Sequence, residues 1–191
     1  MFEKFPTLIL ILLSSGLFSQ ELVTKQKVNL EKFFTEKREA YPVINGNNVS
    51  LYLTDPNSIS RLSFDLELNQ QTIYTWRLPD GPYDLILGGR HTPTNEILFF
   101  SDNKRRKLGS IVFPADGASL LVKNIDLDLK NEAFIESFNH GDNFIMLTVI
   151  KQTNILRIYS FTNPVDYTVK DINFFDFRFD SGEQYLSDAL T

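Results

Sequence analysis

The stretch Leu85–Leu127, LILGGRHTPTNEILFFSDNKRRKLGSIVFPADGASLLVKNIDL, decides the fold, because a similar pattern, FIESFNHGDNFIMLTVIKQTNILRIYSFTNPVDYTVKDINF, begins at Phe134. His91 and His140 hold matching places, 49 positions apart. Other matched pairs are 48 and 47 positions apart: Phe113 with Phe161 and Val122 with Val169. A weaker earlier copy, LYLTDPNSISRLSFDLELNQQTIYTWRL, begins at Leu51. The chain therefore contains an internal repeat of about 48 residues, a length typical of modular folds.

Each copy divides into four strand-sized runs that are separated by Gly, Asn, Asp and Pro. In the second copy the runs are Asp84 to Gly89, Glu96 to Ser101, Lys107 to Phe113 and Ser119 to Asn124. In the third they are Ala133 to Asn139, Asn143 to Ile150, Ile155 to Phe161 and Asp166 to Ile172. Such turn residues between β-branched and aromatic runs predict antiparallel strands joined by hairpins.

In period and strand count, the region from Tyr41 to Phe174 resembles the β-propeller family. The chain is also similar to uncharacterised exported bacterial envelope proteins, since it is rich in Phe and Asn and lacks Cys. The resemblance implies an all-β, propeller-like array of about three four-stranded antiparallel blades. Since a closed ring needs about four blades or more, the propeller is expected to be incomplete. A β-sandwich is the alternative fold.

The repeat sets the expected organisation of the chain. After a signal peptide over residues 1–19 and an N-terminal arm or short helix over 20–40, blade-like repeats follow over 41–82, 83–130 and 131–174. Residues 175–191 are predicted to start a fourth blade, because Phe175, Phe177 and Phe179 alternate with charged residues as in a half-buried strand.

The N-terminus, MFEKFPTLILILLSSGLFSQ, has the layout of a secretory signal peptide: Lys4, an apolar run from Leu8 to Leu13, then small residues. The uncharged stretch over residues 5–20 is shorter than the roughly 20 residues that cross a bilayer, so no stable membrane span is expected after cleavage. These features predict an exported protein, located in the periplasm, on the outer surface or in the medium.

The charge of the chain argues against nucleic acid as a partner. The formal net charge is −5, and nucleic-acid binding depends on clustered Lys and Arg. The basic cluster Lys104 to Lys107 is predicted to be a solvated hairpin loop, with anion binding as the less favoured interpretation. With no Cys there is no disulfide and no thiolate metal site.

No residue is assigned a catalytic, cofactor-binding or metal-binding role, and no cofactor is expected. His91 and His140 are interpreted as one turn position repeated, because a metal site needs further ligands. The carboxylate pairs Asp126 with Asp128 and Asp176 with Asp180 are interpreted as solvated strand faces. Gly88-Gly89 is too weak a pattern for a phosphate site. The aromatics Tyr74, Trp76 and Tyr83 are expected to be exposed, with packing between blades favoured over sugar or peptide binding.

These observations predict an exported, non-catalytic binding or scaffolding module of the bacterial cell envelope, with an unknown protein or glycan as its ligand. One alternative is a hydrolase that acts on glycans or peptides with acidic residues from several blades. The other is an N-terminal fragment of a longer propeller protein without activity of its own.

Overall fold

The computed structural model describes residues 39–46, 48–55, 57–67, 69–174 and 185–190. In this part of the chain twelve strands form three four-stranded antiparallel sheets, each made of consecutive strands in sequence order. The first sheet contains β1 (Ala40–Asn45), β2 (Asn48–Thr54), β3 (Ser58–Asp65) and β4 (Gln70–Arg77). The second contains β5 (Leu85–His91), β6 (Asn95–Ser101), β7 (Leu108–Pro114) and β8 (Leu121–Ile125). The third contains β9 (Glu132–His140), β10 (Asn143–Ile150), β11 (Ile155–Phe161) and β12 (Tyr167–Asn173), and a short helix α1 spans Leu186–Leu190.

This arrangement confirms the predicted all-β, propeller-like array of three four-stranded blades. The predicted strands Asn143 to Ile150 and Ile155 to Phe161 have the observed bounds. Turn residues separate the strands as expected: Gly141, for example, has a φ of 56° between β9 and β10, a conformation that glycine adopts without steric cost.

The first strands of the three sheets lie beside one another, β5 between β1 and β9. Side chains of β9 donate hydrogen bonds to carbonyl oxygens of β5: Ser137 Oγ to Leu87, and Asn139 Nδ2 to Gly89 at 2.5 Å. These side-chain hydrogen bonds join β9 to β5, the first strands of the third and second sheets, which are not paired by backbone hydrogen bonds.

The two central strands of the second sheet, β6 and β7, are buried on both faces. Leu98 and Phe100 of β6 belong to an apolar core shared with the first sheet, which includes Tyr52 and Ile59. The alternate positions belong to a second core shared with the third sheet; there Phe99 stacks on Phe144, with ring centroids 4.2 Å apart and an interplanar angle of 8°. Since successive side chains of a strand point to opposite faces, one strand contributes to both cores.

Gly88 and Gly89 are explained by this packing. A Cβ atom at Gly88 would lie 2.4 Å from the Phe144 ring, and one at Gly89 would lie 2.3 Å from the Leu98 side chain. These distances are shorter than van der Waals contact, so β5 can approach its neighbours only with glycine at both positions.

Two details differ from the sequence interpretation. Asp126 and Asp128 follow the end of β8 at Ile125, so they lie in the loop before β9 and do not form a strand face. Tyr83, expected to be exposed, is 6% exposed because it packs on Phe100 between the first two sheets.

Several predicted features lie outside the described residues: the signal peptide over 1–19, the arm up to residue 38, and the strand that would contain Asp176 and Asp180. Within the described ranges, no helix has the length and apolar character needed to span a membrane.

Candidate functional site

A cluster of polar side chains lies between the first two sheets, where β2 and β6 begin. Ser50 and Tyr52 share one face of β2, and Arg61 on β3 is paired with Tyr52. Glu96 on β6 faces them from the second sheet and is paired with His91 at the end of β5. The packing of these two sheets therefore brings side chains of β2 and β3 together with side chains of β5 and β6, with Ser50 and Tyr52 lying 46 and 44 positions from Glu96 in the sequence.

Glu96 is the centre of the cluster and is only 6% exposed. Its Oε1 accepts a hydrogen bond of 2.7 Å from Ser50 Oγ, and its Oε2 accepts a short one from the Tyr52 hydroxyl. Burial, followed by the negative charge of Glu96, holds the pKa of Tyr52 well above its ordinary value of 10.0. Tyr52 therefore stays protonated and remains a donor to the carboxylate at all ordinary pH values.

Arg61 supplies the opposite charge. Its Nη1 lies 3.8 Å from Glu96 Oε2, and the two side chains are 5% and 8% exposed. The guanidinium donates to the carbonyl oxygens of Pro114 and Ala115, both at 3.1 Å, and lies 5.1 Å from the centroid of the Tyr74 ring. Its Nε is buried and has no hydrogen-bond partner among the described residues.

A cleft of about 240 Å³ opens beside this ion pair. Its lining is mostly polar: Asn48, Ser50, Arg61, Ser63, Gln71, Thr72, Tyr74, His91, Asn95, Glu96 and Ala115. The His91 ring belongs to this lining, and its Nδ1 atom is buried without a hydrogen-bond partner among the described residues. A buried ion pair and several amides and hydroxyls thus surround one space, an arrangement that can hold a small polar molecule by hydrogen bonds.

The structure places the two histidines at equivalent positions, each the last residue of the first strand of its sheet. Only His91 lines the cleft, whereas His140 is exposed. Within the described ranges, no group of three or more His, Cys, Asp and Glu side chains could hold a metal ion.

The other sequence candidates lie elsewhere. Asp128 accepts hydrogen bonds from the backbone N–H and the ammonium of Lys130, both at 3.0 Å, and the Lys130 side chain holds the pKa of Asp128 below its ordinary value. The basic cluster occupies the loop between β6 and β7, where Arg105 lies 4.6 Å from the centroid of the Phe134 ring. Trp76 stacks on Tyr74 and donates from Nε1 to the Ala118 carbonyl at 3.1 Å, so its ring packs between sheets.

Glu96 and Arg61, the central residues of the cleft, were not singled out from the sequence. Each is a charged residue at a buried position of a strand that is mostly apolar or small, in NEILFFS and SISRLSFD. That signal was available, because ionised side chains are rarely buried without a partner. Their pairing depends on the packing of two sheets, which the sequence pattern does not specify.

Comparisons with known proteins give no family. No family model matches the chain, and no curated protein matches it. Among solved structures, cobalt-substituted Synechocystis ACO is similar at 13% identity and a TM-score of 0.43, over 76% of this chain and 41% of that chain. An ACO/RPE65 chimera gives the same values, and a Synechocystis apocarotenoid oxygenase mutant gives 13% identity and a TM-score of 0.42. The chain spans about two fifths of the length of these structures.

These comparisons correct the functional prediction. The matched structures are titled as an apocarotenoid oxygenase and chimeras or variants of it, and none of them is an envelope scaffold. The predicted non-catalytic binding or scaffolding module of the bacterial envelope was therefore wrong. The activity named in those titles belongs to those proteins.

Proposed function

We propose that this protein binds a small polar molecule in the cleft between its first two sheets. The observation that carries the proposal is the ion pair of Arg61 and Glu96, which lines the cleft although its side chains are only 5% and 8% exposed. Charged side chains are seldom buried unless they are paired or bind another group. The amide and hydroxyl side chains that line the same cleft add donors and acceptors that a bound molecule or water would satisfy.

Two further features support a ligand in this place. His91 adds a ring that lines the same cleft. Arg61 is fixed by Pro114, Ala115 and Tyr74, so its orientation is set before any ligand arrives. A donor that is held in place loses little entropy on binding, which favours affinity.

The test is a thermal-shift and calorimetric screen of the full chain against neutral, anionic and cationic small polar molecules. The proposal predicts saturable binding that Asn48→Trp abolishes, because Asn48 is exposed at the rim and a large ring there fills the cleft. Circular dichroism should show that this variant keeps the fold.

A matched pair of variants controls for nonspecific effects. Gln71 lines the cleft and Gln70, its neighbour on β4, does not; both are exposed. Gln71→Ala should weaken binding and Gln70→Ala should leave it unchanged. Absence of any binder, or equal affinity of a binder for Asn48→Trp and the unsubstituted chain, would overturn the proposal.

We also propose that residues 1–19 direct export of the protein. The support is the order of Lys4, the apolar run from Leu8 to Leu13 and the small residues that follow. Expression of the full chain with a C-terminal tag in a bacterium, followed by cell fractionation and N-terminal sequencing, tests this. Tagged protein that stays in the cytoplasm with Met1 intact would contradict it.

A further inference from the structure

The electrostatic balance of the cleft restricts the ligand. Glu96 and Arg61 are the carboxylate and the guanidinium of a lining that also contains His91, and they face each other at 3.8 Å. An anionic ligand would be attracted by Arg61 and repelled by the nearby Glu96 carboxylate. A cationic ligand would be attracted by Glu96 and repelled by Arg61. Because desolvating a charge is costly unless it is fully paired, this site favours a molecule without net charge.

The hydrogen-bonding groups of the lining restrict it further. Asn48, Gln71 and Asn95 each carry an acceptor oxygen and an NH₂ donor, while Ser63 and Thr72 carry hydroxyls that both donate and accept. A carboxylate only accepts and an ammonium only donates, whereas each of these side chains can do both. A hydroxyl group does both, and adjacent hydroxyls on one ligand match the alternation of donors and acceptors.

The size of the cleft sets the size of the ligand part that it can hold. Its volume of about 240 Å³ corresponds to about eight water molecules at about 30 Å³ each. Pockets for drug-sized ligands are larger, about 300–1,000 Å³. Tyr74 adds an aromatic surface to the otherwise polar wall, and aromatic rings provide apolar contact area with a polar end.

From charge, hydrogen bonding and size together, we infer that the ligand is a neutral polyhydroxylated molecule the size of a single sugar ring. This inference rests on the proposed function, because it concerns the same cleft. It adds the chemical class and the requirement for electrical neutrality.

The experiment uses probes with the same ring that differ in charge through one substituent, titrated into the full chain by calorimetry and by saturation-transfer NMR. Glucose, galactose and mannose are the neutral probes, with the uronic acid and the amino sugar of each as anionic and cationic counterparts, and myo-inositol as a neutral ring without an anomeric centre. At least one neutral probe should bind, with its charged counterparts weaker by about tenfold or more, equivalent to about 1.4 kcal/mol. Asn48→Trp should remove this binding and Gln70→Ala should not.

The outcomes separate this inference from the proposed function. The inference is wrong if a charged counterpart binds as tightly as its neutral parent. It is also wrong if Asn48→Trp abolishes the binding only of molecules that lack vicinal hydroxyls. In both cases the cleft remains a ligand site. If sugars bind but Asn48→Trp binds them equally well, the site is wrong and both statements fail. If none of the neutral probes binds, the inference is overturned, and the wider screen decides the proposed function.

Discussion

The carboxylate of Glu96 accepts a 2.7 Å hydrogen bond from the hydroxyl of Ser50, a residue 46 positions earlier in a different sheet. The same carboxylate accepts a hydrogen bond from Tyr52 and lies beside Arg61. One residue of the second sheet therefore contacts three polar side chains of the first. This contact combines two roles, since it joins two sheets and forms the inner wall of the cleft.

Replacing Glu96 by Gln should destabilise the fold strongly. The substitution leaves the charge of Arg61 without a counterion in a buried position, and loss of one partner of a buried pair costs about 3–5 kcal/mol. Urea unfolding followed by circular dichroism measures the change. Glu136→Gln is the control, since Glu136 is exposed and such surface changes stay within about 0.5 kcal/mol. A loss below about 1 kcal/mol for Glu96→Gln would show that the ion pair does not hold the sheets together.

Stability should decrease in acid in a way that depends on Asp171. Arg157 donates to both carboxylate oxygens of Asp171, at 2.7 and 2.8 Å, and these hydrogen bonds hold the pKa of Asp171 below its ordinary value of 3.8. A carboxyl with a lowered pKa in the folded state contributes stability that is complete above 3.8 and is lost as the pH falls through the lower folded value. Asp171→Asn should therefore flatten the acid side of a plot of unfolding free energy against pH. An unchanged slope in this variant would contradict the assignment.

Gly88→Ala should destabilise the interface between the second and third sheets. The new Cβ would lie 2.4 Å from the ring of Phe144, which is 1% exposed and stacked on Phe99, so the ring cannot move freely. Overpacking of this kind costs about 1–3 kcal/mol. Denaturant unfolding of Gly88→Ala, Phe144→Leu and the double variant provides a cycle. The double variant should lose less than the sum of the single losses; simple additivity would mean that the two side chains do not clash.

Backbone amides of β6 and β7 should exchange with solvent more slowly than those of β12. Six of the seven residues of β6 and of β7 are buried, whereas six of the seven in β12 are exposed. Amides in the most buried strands open only with global unfolding, while outer strands open locally. Hydrogen–deuterium exchange with mass spectrometry of the full chain tests this ranking. Faster exchange in β6 than in β12 would contradict the packing described above.

Much of the fold can be predicted from the sequence, because the strands and turns of each repeat are specified by residues that are close together in the chain. Asn143 and Ile150 bound a strand that is read correctly from alternation and flanking turns alone. The loop position of Asp126 and Asp128 was missed, since IDLDL alternates like a strand although β8 ends at Ile125. The alternation of apolar and polar residues shows which side chains are suited to burial. It does not show where the hydrogen bonds between neighbouring strands end.

The cleft could not be predicted in the same way. It depends on the distance between Glu96 and Arg61, which belong to different sheets, and on the pairing of Glu96 with His91. His91 was selected because it recurs as His140, yet the equivalent positions have different surroundings: one lines the cleft and the other is exposed. A repeat predicts shared backbone positions, whereas the neighbours of each copy determine its chemistry.

Because β6 is buried on both faces, insertions and deletions within this strand should be selected against during evolution. Glu96, Leu98 and Phe100 face the first sheet, and Ile97 and Phe99 face the third. Deleting or inserting one codon within the strand would exchange the two sets, placing the carboxylate among the aromatic rings and withdrawing it from Arg61. Homologous sequences that preserve this fold should therefore vary in β6 by substitution, and place their length differences in the neighbouring turns.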